Sequence, residues 1–120
     1  MASLNTFGAI MSHAIKLEAR LGEWYGRIGA ADKARAAEKR RRKLERARRE
    51  NVLEITLEPI HGLDAADYAL ELDASTANSQ SAAAAVAARF YADVAPKINV
   101  RAAQRTLERC GREHAALAQG

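Results

Sequence analysis

The chain has 120 residues, of which 48% are hydrophobic, 28% charged and 5% aromatic, with a formal net charge of +4. That length is one domain spanning 1–120, and the balance excludes both a disordered tail and a membrane span, since no apolar run approaches ~20 residues. The lone cysteine, Cys110, excludes an internal disulfide framework and a thiolate zinc site, and it makes the cytoplasm the expected compartment.

Residues from about 5 to 29 predict the first helix. Phe7, Met11, Ala14, Leu21, Tyr25 and Ile28 recur by threes and fours, as one face of a packed helix does, with Ile10, Leu17 and Trp24 beside them. Asn5 or Thr6 can cap its start and Gly29 ends it. Position 18, between Ala14 and Leu21, is a misfit on this stripe, a glutamate. Residues from about 31 to 51 predict a second, very basic helix whose apolar side is Ala34, Ala37, Leu44 and Ala47, followed by Asn51. Glu38 and Glu45 are spaced to pair with arginines one turn on.

From about 52 to 80 the pattern changes. Leu53, Ile55 and Leu57 alternate with polar residues, as do Tyr68, Leu70 and Leu72, while Pro59 and Gly62 break the chain. This length is read as an extended crossover, or else as two runs pairing in a small hairpin. The polar stretch from Ser75 to Ser81 can cap the next helix. A third helix is predicted from about 81 to 95, with Ala84, Ala87, Phe90, Tyr91 and Val94 inward and Pro96 as its stop. A fourth, from about 99 to 118, carries Val100, Ala103, Leu107, Cys110, His114 and Leu117 on one stripe, where the misfit is a histidine.

The halves echo each other. Leu44-Glu45-Arg46 and Arg49-Glu50 reappear 63 residues later as Leu107-Glu108-Arg109 and Arg112-Glu113, and Trp24-Tyr25 answers Phe90-Tyr91. Two tandem helical hairpins (about 5–51 and 81–118) joined by a long crossover describe an all-α, ferritin-like four-helix bundle. The pattern resembles the rubrerythrin branch of that superfamily. There, each half supplies a glutamate seven residues before a tyrosine, then a Glu-x-x-His, and the six side chains hold two irons. On this chain Glu18 precedes Tyr25 by seven and His114 holds the histidine position. Arg48, Asn51, Ala84 and Gly111 stand at the other four. The resemblance therefore implies the scaffold with a degenerate di-iron motif.

A buried carboxylate needs a partner. The expectation is that Arg48 replaces the metals and pairs with Glu18, with Asn51 and His114 adding hydrogen bonds and Tyr25 and Tyr91 close by. Two alternatives stay open: a reduced metal site using Glu18 and His114, completed across a dimer, or both residues lying at the rim of a loose bundle. Cys110, on the apolar stripe, reads as a buried structural thiol.

The run Lys39, Arg40, Arg41, Arg42 and Lys43 reads as a solvated basic face. An acidic protein partner is the next reading, Asp64, Asp67, Glu71 and Asp73 of the crossover being a candidate within the chain. Nucleic acid comes third, because the run carries no interleaved aromatic and no recognition-helix turn. Neither a nucleophile elbow nor a phosphate-binding glycine loop occurs. The functional expectation is a structural or protein-interaction role, without cofactor and as a homodimer, since so small a core is marginal alone. The alternatives are an iron protein handling peroxide or oxygen, and a basic bundle binding nucleic acid.

Overall fold

The structure, a computed structural model, describes residue 4 and residues 6–50, 62–72 and 76–119. The protein is all-α. The described residues form four α-helices, α1 (Phe7–Arg27), α2 (Ala31–Glu50), α3 (Ala77–Val94) and α4 (Arg101–Gln119), and no strand. Helix α1 packs along α2 and α3 along α4, while α2 also lies against α4. No helix of the described residues is long and apolar enough to cross a membrane.

Local chemistry sets the helix ends. Thr6 accepts a hydrogen bond from the Ala9 amide and starts α1. At the other end Gly29 takes φ +82°, the Ala30 amide donates to the Tyr25 carbonyl at 2.8 Å, and the Gly29 amide donates to Gly26. This pair of bonds is a Schellman stop, and it reverses the chain within three residues so that α2 runs back along α1. Thr76 caps α3 by accepting from the Ser79 amide. Helix α3 thus begins four residues before the expected 81, because Asn78, Ser79 and Gln80 form a polar first turn that composition alone reads as linker. After α3 a 3-10 turn, Ala95–Lys97, contains Pro96, and Gln104 Nε2 donates to the Ala95 carbonyl.

The core is one cluster drawn from all four helices, including Ile10, Leu21, Trp24, Leu44, Phe90, Val94 and Leu107. Part of the expected crossover, 62–72, closes one end of it. Asp64 caps a 3-10 turn, Ala65–Tyr68, and the chain then runs extended with Tyr68 and Leu70 buried and Ala69 and Glu71 exposed. The alternation seen in the sequence is therefore a burial pattern without a strand partner among the described residues. Tyr68 donates to Asp93 on α3 at 2.7 Å, and Arg89 on α3 donates to the Asp67 carbonyl and lies over the Tyr68 ring. The Asp64 carboxylate accepts from the Ala66 amide, and neither Asp64 nor Asp67 forms an ion pair among the described residues, so the structure does not pair these two candidate acids with the basic helix. The alternating run of Leu53, Ile55 and Leu57 and the expected ligand-position residue Asn51 lie outside the described residues, as does Asp73.

Candidate functional site

One side chain from each helix meets at the centre of the core. Glu18 on α1 and His114 on α4 are fully buried, as is Tyr91 on α3, and Arg40 on α2 is 3% exposed. Arg40 Nε donates to Glu18 Oε1 at 2.8 Å. The Tyr91 hydroxyl donates to Glu18 Oε2 at 2.6 Å, and His114 Nε2 lies 2.8 Å from the same oxygen. A carboxylate only accepts, so Nε2 carries the proton of that bond. The Tyr91 and His114 rings stack, 5.7 Å apart and 9° from parallel. Arg40 Nη1 reaches outward to Glu113 Oε1 at 2.9 Å, on the partly exposed edge of α4.

The electrostatics favour an ionised carboxylate. Burial pushes the Glu18 carboxyl upward, but the His114 hydrogen bond and charge, the Arg40 charge and the Tyr91 hydroxyl outweigh it and hold it below the ordinary carboxylate range. Burial and the charge of Glu18 push the Tyr91 hydroxyl well above its usual value, so it stays a proton donor. Burial also opposes the charge of Arg40, yet Glu18 and Glu113 raise its pKa overall.

The hairpin register explains why Arg40 is the partner. In antiparallel helices, residues equally far from the turn lie side by side. Lys33 Nζ lies over the Tyr25 ring at 5.9 Å, and a Cβ on Gly22 would touch that of Ala37 at 3.6 Å. Glu18 and Arg40 stand at the same level of this ladder. Arg48 lies eight residues further along α2, about 12 Å down the axis, and it is exposed. The expected Glu18–Arg48 pair is thus replaced by Glu18–Arg40. Tyr25, expected beside Glu18, is buried about two turns along α1 from it, with its ring 5.1 Å from that of Trp24.

The basic run does not form one face. Arg40 points into the core. Arg41 pairs with Glu38 and Glu45, and Arg42 approaches Glu38 at 3.3 Å, so two of the five cations are matched on the outer side of α2. Lys43 lines a groove against α4, and Lys39 is exposed.

The central residues do not fit a di-iron centre. Both Glu18 oxygens are engaged, and one of them faces a fixed guanidinium. The third-helix ligand position is Ala84, which is fully buried. At the fourth-helix position a Cβ on Gly111 would stand 2.9 Å from the Tyr91 Cβ, so the ring that supports His114 closes the place of a second carboxylate. No group of three His, Cys, Asp or Glu side chains converges among the described residues. The chain matches no protein-family model, no curated protein and no solved structure. Any reading of its role therefore starts from this cluster and the surfaces around it.

Proposed function

We propose that the protein is a ferritin-like scaffold, two helical hairpins joined by a crossover, in which a guanidinium stands in for the metal and whose role is structural or protein-interactive. The observation that carries this reading is the contact of buried Arg40 with buried Glu18. In a carboxylate-lined bundle the metals supply the positive charge that keeps the acids ionised in the core. Here Arg40 supplies that charge permanently, and a site that is already neutralised and hydrogen-bonded has no need of a metal to fold. No catalytic residue is proposed: both Glu18 oxygens are taken up by the donors of Arg40, Tyr91 and His114.

An interaction role also suits the surface. Ala88, Ala92, Ala95, Gly111 and Ala115 line a shallow groove between α3 and α4, small enough for a helix of a second copy to approach closely. A homodimer through this face, in the cytoplasm, completes the proposal. Metal content and unfolding test it together. Protein purified without chelator should carry no stoichiometric iron, and excess chelator should leave its unfolding midpoint unmoved. About one iron per chain, lost in His114→Ala, would transfer the protein to the iron-handling reading.

A further inference from the structure

We infer that the groove between α2 and α4 is a binding site for a compact phosphoryl anion, of the size of a diphosphate. The groove has a volume of about 350 Å³, within the range of small-molecule sites. Five cations face it besides Arg40: Lys43 and Arg46 from α2, and Arg105, Arg109 and Arg112 from α4. The spacings of three and four residues put each helix's set on one side, so the two rows oppose each other across the groove. Among the described residues only Arg46 of these five has an ion-pair partner, Glu50 at 3.2 Å. The other four form no ion pair among the described residues, so the cations of the groove outnumber the three carboxylates at its border.

The second observation comes from the floor. Arg40 lines this groove, is 3% exposed, and holds an Nη2 that is buried without a hydrogen-bond partner. Buried donors are rarely left so, and each such group calls for an explanation. An anion seated over Arg40 would supply the missing acceptor. Arginine forks, four of the five walls counting Arg46, match the paired oxygens of a phosphoryl group better than lysines would.

The carboxylates set the size of the ligand. Glu50, Glu108 and Glu113 also border the groove. An extended nucleic-acid backbone laid along it would meet these acids, whereas a diphosphate fits among the cations. The shared chemistry is two adjacent phosphoryl groups, and it can come from inorganic diphosphate or from the tail of a nucleoside diphosphate.

The test is calorimetric titration of the full chain with inorganic diphosphate and, separately, with a nucleoside diphosphate at low salt. The expected result is one site per chain, weakened as salt rises. Arg105, Arg109 and Arg112 are exposed, so their alanine variants should keep the wild-type helical spectrum and melting curve. Each should bind about tenfold more weakly, the loss of one charge-assisted hydrogen bond. Arg48→Ala and Arg49→Ala, outside the groove, should bind as wild type. Tighter binding of either anion names the source. Dissociation constants above about 1 mM, or equal weakening by the groove and the Arg48 and Arg49 variants, would overturn the proposal. So would a duplex DNA that binds where diphosphate does not.

Discussion

Glu18 and Arg40 stand at equal distances from Gly29, eleven residues before it and eleven after, and their side chains meet at 2.8 Å in the core. The Schellman turn at Gly29 fixes the hairpin register, and the register fixes the ion pair. His114 and Tyr91 then reach the same carboxylate from the other two helices. A local turn in the first half of the chain thus determines which residue neutralises a charge shared by all four helices.

Tyr91→Phe removes one donor from Glu18 Oε2 and keeps the ring that stacks on His114. A hydrogen bond to a charged acceptor contributes roughly 1.5–3 kcal/mol, so chemical denaturation should show a loss of about that size. Tyr25→Phe, whose ring packs on Trp24, should cost less in the same assay.

Acid should destabilise the protein in two stages. Burial, with Lys16 and Arg20 adding like charge, lowers the His13 pKa below its ordinary 6.5. Its ring lies 4.7 Å from Phe90 and its Nε2 is buried without a partner. A folded value below the unfolded one means that the neutral form is favoured in the fold. Stability is therefore full above 6.5 and declines as pH falls from there through the folded value. The Glu18 value is lowered from 4.5, so its contribution is present above 4.5 and is lost as pH falls through its own folded value. Unfolding midpoints measured against pH should show both declines in the wild type, and only the second in His13→Leu.

Much of this was legible in the sequence. The three-and-four stripes of α1 and α4 isolate Glu18 and His114 as polar misfits on apolar faces, and Gly29 marks the turn. Arg40 was legible by the same rule. It falls three after Ala37 and four before Leu44, as Glu18 falls four after Ala14 and three before Leu21. It was hidden because it sits among five consecutive cations, and a basic run reads as surface. The family resemblance also drew attention to Arg48, at a position set by another hairpin's register. The start of α3 was not legible, because Asn78, Ser79 and Gln80 favour a turn or linker by composition. Only the Thr76 cap and the packing of the following alanines make them helical.

Two glycines should respond oppositely to alanine. Gly26, in helix α1, has open space where a Cβ would go, and Gly26→Ala should stabilise by about 0.5 kcal/mol by restricting the unfolded chain. In Gly111→Ala the new methyl would lie 2.9 Å from the Tyr91 Cβ, which is anchored to the backbone of α3. The helices must part or the ring must turn, at a cost of roughly 1–3 kcal/mol. Paired thermal melts would read both signs.

Cys110 is buried, and burial with the nearby Glu18 charge pushes its thiol up to about 12. The thiolate is the reactive form, so the native protein should resist alkylation at neutral pH. Mass spectrometry after brief treatment with an alkylating reagent should find Cys110 unmodified in the native chain and modified once it is unfolded. Rapid modification of the native protein would place the thiol outside the core.

The most direct test of the guanidinium-for-metal account is a double-mutant cycle on Glu18→Gln and Arg40→Met, followed by denaturant unfolding in the presence of chelator. Each single variant leaves one buried charge unpaired, and each should lose about 3–5 kcal/mol. The double variant removes both charges and should lose far less than the two singles together, a coupling that only a direct pair produces. Single losses below about 1 kcal/mol that simply add in the double variant would contradict the account.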